Sequence, residues 1–190
     1  LLLQRREHVH LVGRERLAGP SPEHGPQLRV GVEADAVVDQ TDAVLAVHLL
    51  EQDIDAVIIA TPHYSHTTLG IEAFKSGLHV MVEKPISVHK ADCERLIAAH
   101  KARPDLVFGA MFQLRTEPRY KKLKSLVENG ELGQIVRVNW IITDWFRTEA
   151  YYASGGWRAT WKGEGGGALL NQCPHQLDLL QWLVGMPSCV

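Results

Sequence analysis

Val80-Met81-Val82-Glu83-Lys84-Pro85 is the stretch that decides the fold. Three apolar residues, two of them β-branched, read as the end of a buried strand. Pro85 has no N–H to give to a central ladder, so the strand stops there. A carboxylate and an ammonium then stand at the strand's carboxyl end, where open α/β sheets hold their ligands. Taken alone, Lys84 is equally well a surface cation beside Glu83. The flanking sequence tips the balance.

Upstream, Ile54–Ala60 (IDAVIIA) is a continuous apolar run, as in a strand buried on both faces, and Thr61-Pro62 ends it. Residues 66–77 read as a helix with Leu69, Ala73 and Phe74 on its inner side and Gly77 beyond its end. Residues 78–82 form the next strand. Ser87 is placed to cap a second helix over 88–102, with Ala91, Ile97 and Ala98 expected inward, and 106–112 is a third strand. Strands and helices in strict alternation imply right-handed βαβ units and a parallel sheet.

Beyond Phe112 the pattern changes. Residues 117–129 read as a basic amphipathic helix, and the alternation over 134–146 as a strand of an antiparallel sheet with one wet face. A loop rich in Gly, Trp and Tyr spans 147–167, and a last helix is expected over 168–184. Its apolar stripe is Leu169, Cys173, Leu177, Leu180 and Val184. Asn171, His175, Asp178 and Trp182 share another face, which spacing alone also allows to be a solvated one. The predicted fold class is α/β: a partial doubly wound, Rossmann-like parallel sheet, followed by the start of an α+β domain with an open, mostly antiparallel sheet. The expected domains are 51–116 and 117–190, with 1–50 unassigned.

Composition narrows the partners. The chain is 45% hydrophobic, and Lys plus Arg at 20 against Asp plus Glu at 22 leaves a formal charge of -2, which does not suit a nucleic-acid or membrane surface. Three cysteines without CxxC spacing read as reduced thiols of a cytoplasmic protein. His63 and His66 have H-x-x-H spacing, but no third ligand sits at a metal-site distance, so no metal is expected. Trp140, Trp145, Trp157 and Trp161 are core or interface residues, or platforms for sugar rings.

DAVIIATPHYSH, VMVEKP, the Gly130-Glu131-Leu132-Gly133 turn and GGGALLNQCPHQLDLLQW, in that order, resemble the glucose–fructose oxidoreductase, inositol dehydrogenase and rhizopine-catabolism (Gfo/Idh/MocA) oxidoreductases. The resemblance runs from about Asp53 to Val190. It implies an NAD or NADP cofactor, a sugar, inositol or related polyol as substrate, and a homo-oligomer. It assigns Lys84 and His175 to catalysis, with Asn171 beside them where many members carry Asp. Thr61, Pro62, His66, Glu83, Lys84, Pro85 and Gln113 lie along the cofactor. Arg115, Trp157, Arg158 and Asp178 are expected at the substrate.

Residues 1–50 carry no G-x-G-x-x-G turn after a strand, and Pro20, Pro22 and Pro26 remove backbone donors. The chain therefore reads as truncated at both ends, holding a dinucleotide too weakly to turn over. A non-catalytic descendant that binds a sugar-like ligand or a sister subunit is the alternative.

Overall fold

The computed structural model describes residues 8–13, 54–143, 146–153 and 156–189. Residues 29–38, which the sequence allows as a short strand, and 43–50, which it allows as a helix, lie outside the described residues, as does Trp145. Among the described residues four strands form one sheet in the order β1 (His8–Gly13), β2 (Ile54–Ala60), β3 (His79–Val82) and β4 (Phe108–Ala110). β2, β3 and β4 are parallel, with Ile59 opposite Val82 and Val82 opposite Ala110. β1, in the segment left unassigned from sequence, pairs antiparallel with β2 and slips register at Gly13.

Helix α1 (His66–Lys75) links β2 to β3, and α2 (Lys90–Lys101) links β3 to β4. Both crossovers step the same way across the sheet. Right-handed crossovers of that kind put their helices on one face. Val57, Ile59, Val80 and Val82 point to that face and pack with Leu69, Ala73, Phe74, Leu96 and Leu106 as one core. Met81 points to the other face and is 36% exposed, so among the described residues the sheet is covered on one side, not two.

α1 closes as its sequence indicates. Gly77 has φ 82°, and the N–H groups of Leu78 and Gly77 return to the carbonyls of Ala73 and Phe74, the double bond of a Schellman turn. α2 departs from expectation. It starts at Lys90 behind His89, while Ser87 is buried and accepts a hydrogen bond from Thr67 Oγ1 at 2.8 Å. The start shifts the inward stripe to Leu96; Ile97 is 40% exposed, and Ala91 and Ala98 are exposed too. Leu96 fits against Gly70, where an added Cβ would lie 2.7 Å from Leu96 Cδ1.

After β4 come a 3-10 turn, Gln113–Thr116, and α3 (Pro118–Glu128). Of the strand expected over 134–146, residues 134–143 form none: their aliphatic side chains stand exposed, Val136 at 92% and Ile141 at 82%, while Trp140 is half-buried and stacks on Tyr120. No strand among the described residues runs beside them to take their backbone hydrogen bonds. The Trp-rich loop contains two short helices, α4 (Glu149–Ala153) and α5 (Trp161–Glu164). The last helix is two: α6 (Ala168–Asn171) and α7 (Pro174–Val184). Pro174 lacks the N–H that would continue α6, so it opens a new helix. The break also redirects the faces. Leu169, Leu177 and Val184 are exposed, whereas Leu179 and Leu183 are buried, together with Asn171 on α6.

Candidate active site

The site forms where the carboxyl ends of β2 and β3 meet α6 and α7. Glu83 N–H donates to Ile59 O at 2.9 Å, extending the β2–β3 ladder one residue past the end of β3. Lys84 follows, and its bond to Pro85 is cis. His66, fully buried, joins the two strand ends: Nδ1 lies 2.8 Å from Pro85 O and Nε2 2.8 Å from Thr61 O. Both ring nitrogens face carbonyls, and the neutral ring donates its one N–H to one of the two, so His66 holds the ends of β2 and β3 together. Burial lowers its pKa, against the two carbonyls, which raise it. Thr61 is buried and its hydroxyl accepts from Ser65 Oγ at 2.6 Å; Ser65 Oγ also lies 2.8 Å from Pro62 O.

Lys84 Nζ donates to the Asn171 main-chain O at 2.5 Å and lies 3.5 Å from Asn171 Oδ1. This bond spans the two halves of the chain and brings the strand-end lysine to the helix pair that carries His175. Burial pushes the ammonium below its ordinary range, with Glu83 and Glu164 opposing and Arg158 and Arg147 adding to the fall. His175, four residues beyond Asn171 and across the break between α6 and α7, meets Phe112 edge to face at 6.0 Å. Its Nδ1 is buried and has no hydrogen-bond partner among the described residues. Burial, then the Lys84 charge, lowers its pKa below 6.5. The ring is therefore neutral near pH 7, with one nitrogen free to accept a proton.

Arg115 and Asp178 form a two-pronged ion pair, at 2.7 Å from Nε and 2.5 Å from Nη2. Arg115 also lies over Trp182 at 5.7 Å, so it fastens the turn after β4 to α7. Asp178 is committed to this pair, and Gln113 is exposed, its main-chain O accepting from Thr116 Oγ1 at 2.7 Å. These three expected ligand residues stand on the junction; the structure bonds Lys84 to Asn171 and sets His175 within electrostatic reach of Lys84, with Glu83 and Pro85 flanking the lysine in the chain.

The Trp-rich loop closes one side. His63 Nδ1 lies 2.9 Å from Glu164 O, Tyr64 donates to Trp161 O at 3.0 Å, and Trp157 meets His63 edge to face at 5.5 Å. His63 is buried, and that burial lowers its pKa, with neighbouring His66 and Lys84 adding to it. Gly165 lies at φ 77°, and a Cβ there would overlap Val88, so only glycine lets the loop sit this close to the turn before α2. Glu164, 5% exposed and close enough to be felt by Lys84, escaped the sequence reading. Its signal was a lone charge directly before Gly165-Gly166-Gly167.

A family profile described as the oxidoreductase family, NAD-binding Rossmann fold, matches residues 10–110, and the GFO/IDH/MocA C-terminal domain matches residues 120–190. The chain belongs to the Gfo/Idh/MocA oxidoreductase family. The first match starts well before Asp53, inside the segment whose sequence showed no glycine fingerprint. A putative UDP-kanosamine synthase oxidoreductase subunit of Amycolatopsis mediterranei is 31% identical over 72% of this chain and 36% of its own length. A levoglucosan dehydrogenase of Pseudarthrobacter phenanthrenivorans is 30% identical over 74% of the chain and 35% of its own. Among solved structures, the WlbA dehydrogenase of Bordetella pertussis, in complex with NADH and UDP-GlcNAcA, superposes with TM-score 0.64 and 32% identity over 74% of this chain and 40% of that one. The Gfo/Idh/MocA chain described here thus spans about a third to two fifths of the length of these relatives. Among its described residues no helix is long and apolar enough to cross a membrane.

Proposed function

We propose that this chain carries the reacting centre of an NAD- or NADP-linked oxidoreductase that oxidises a hydroxyl carbon of a sugar, inositol or related polyol. One observation carries the reading: Lys84 is bonded to Asn171, four residues before His175, whose pKa is lowered by burial and by the Lys84 charge. A neutral imidazole beside a desolvated cation suits an alcohol that must lose a proton.

The residues fit a nicotinamide dinucleotide at the ends of β2 and β3, where Thr61, Pro62, Glu83, Lys84 and Pro85 would line it. When bound, such a cofactor supplies the hydride acceptor. The protein's share is the proton. His175, neutral, takes it from the hydroxyl; the Lys84 ammonium stabilises the developing alkoxide; the Asn171 carbonyl aims Lys84. Asn171 has no carboxylate with which to steady an imidazolium, so the proton passes on from His175 to solvent and is not stored.

Sugars and nucleotide sugars named for the relatives support the substrate class. The exposed apolar residues Val136, Ile141 and Phe146 support a homo-oligomer, which light scattering tests; a monomer at micromolar concentration contradicts it. Three free cysteines support a reducing, cytoplasmic setting.

The test is reduction of NAD or NADP by a panel of neutral sugars and polyols. In a full-length enzyme that carries this chain together with a complete dinucleotide-binding turn, His175→Ala should lower turnover by about 10² to 10⁴ while leaving cofactor affinity nearly unchanged. Equal turnover in the variant removes His175 from the chemistry.

A further inference from the structure

The Glu164 side chain is enclosed at the site without a task in the fold. The residue ends α5, a helix held by other groups: Thr160 Oγ1 accepts the Gly163 N–H at 3.0 Å, and Gly165 turns the chain at φ 77°. Only the main chain of Glu164 is used. Its N–H donates to Thr160 O at 2.9 Å, and its O lies 2.9 Å from His63 Nδ1. Any residue would supply those two groups. Glu164 is 5% exposed, yet its carboxylate makes no hydrogen bond and no ion pair among the described residues. An ionised carboxylate accepts at about four positions, and burying it with none of them filled is costly.

The residue stands beside Lys84. His63, which meets the Glu164 carbonyl, lies ring to ring 5.9 Å from His66, and His66 Nδ1 is 2.8 Å from Pro85 O, one residue from Lys84. On its other side Glu164 runs through Gly165-Gly166-Gly167 into α6, whose Asn171 carbonyl takes the Lys84 ammonium. The charge of Glu164 acts on Lys84 and on His63, whereas the charges acting on His175 are those of Lys84, Glu83 and Asp178. Lys84 therefore stands between the histidine and the Glu164 carboxylate. Glu83 is turned to the backbone, its Oε2 accepting the Lys84 main-chain N–H at 3.2 Å. The Lys84 ammonium has three N–H groups. One goes to Asn171 O at 2.5 Å, and a second reaches Asn171 Oδ1 only at 3.5 Å. Among the described residues at least one donor is left over, next to an acceptor that has none.

We propose that Glu164 binds a second hydroxyl of the substrate, the one on the carbon next to the reacting centre, and so restricts the site to vicinal diols. This deepens the oxidoreductase reading and rests on it. A hydroxyl both accepts and donates: it takes the spare N–H of Lys84 and gives its own hydrogen to Glu164. The reacting hydroxyl then lies on the other side of Lys84, at His175. A hydrogen bond to an ionised acceptor is about twice as strong as a neutral one, so the carboxylate sets a preference and not only a fit. An ammonium in the second position would meet the Lys84 charge, and a carboxylate or phosphate there would meet Glu164. The group is therefore a neutral hydroxyl.

The experiment is NMR titration of the whole chain, with and without NADH, for the unaltered chain, Glu164→Gln and Glu164→Asp. The probes are the cis and trans isomers of cyclohexane-1,2-diol, cyclohexanol and 2-aminocyclohexanol. At least one diol should bind about tenfold or more tightly than cyclohexanol, and more tightly than the amino alcohol. That preference should fall to near one in Glu164→Gln, which keeps the shape and loses the charge, and recover in part in Glu164→Asp. Melting should be unchanged in both variants, since the fold uses only the main chain at this position. Equal binding of diol and cyclohexanol overturns the proposal; so does a preference that survives Glu164→Gln, tighter binding of the amino alcohol, or no binding by any probe. Melting lowered in both variants gives the side chain a structural task and overturns it too. Nicotinamide reduction by single alcohols and diols alike, in the full-length enzyme, removes this subsite and leaves the oxidoreductase reading standing. A diol preference lost in Glu164→Gln, with no nicotinamide reduction by any polyol, upholds the subsite and removes that reading.

Discussion

Replacing Gly70 with alanine should destabilise the protein, and the same change should stabilise it once Leu96 has been cut to alanine. Gly70 lies inside α1, where alanine is favoured over glycine by about 1 kcal/mol. Its Cβ, however, would stand 2.7 Å from Leu96 Cδ1, and Leu96 is 0% exposed. That methyl is the far end of a side chain, but it has no solvent to turn into. Overpacking of this sort costs about 1–3 kcal/mol, so the single variant should lose about 1 kcal/mol net. Leu96→Ala alone should lose about 3 kcal/mol, from transfer and cavity together. In that background the next neighbour of the new methyl is Ile59 Cδ1 at 3.8 Å, an ordinary contact. Gly70→Ala then gains its full helical preference of about 1 kcal/mol. The coupling is about 2 kcal/mol, far outside the scatter of independent sites. Urea unfolding followed by circular dichroism reads all four forms, and melting should shift by about 2–4 °C per kcal/mol for a chain of this size. An equal effect of Gly70→Ala in both backgrounds refutes the tight α1–α2 contact that sets the position of His66.

Asp178→Ala should cost about 1–2 kcal/mol in urea unfolding, less than a fully buried pair, because Arg115 is 40% exposed and regains water; an unchanged midpoint contradicts the junction described for it. Stability should also fall in acid. The pKa values of His63, His66 and His175 are lowered in the folded state, so the unfolded chain takes up protons first as the pH drops below about 6.5. The unfolding free energy should be flat in these groups above that value and decline from there toward the lowered folded pKa values. A curve that rises in acid, or His63→Gln with no flattening effect, speaks against their burial as neutral rings.

The parallel core was legible because its signal is local: an apolar run, a proline or glycine stop, and a helix of the right length recur between Ile54 and Ala110. Lys84 and His175 could be named from motifs, but the bond from Lys84 to the Asn171 carbonyl could not, since a main-chain acceptor leaves no trace in side-chain spacing. The inward faces of α2 and α7 were misassigned for a shared reason. Each depends on where the helix starts, and the starts at Lys90 and Pro174 were placed too early. The alternation of 134–143 speaks of two faces but not of a neighbour, and a strand needs the neighbour. Glu164 lies in a loop without periodicity, where only three-dimensional proximity gives it meaning.

The convergence of Lys84 and His175 on one pocket is tested most directly by NMR titration of the His175 ring in the unaltered chain and in Lys84→Met. The unaltered His175 should titrate below 6.5, since burial and the Lys84 charge both disfavour the imidazolium. Removing the lysine charge should raise that pKa while leaving it below 6.5, because burial, the larger cause, remains. A His175 that titrates at or above 6.5, or one indifferent to Lys84→Met, would contradict the account.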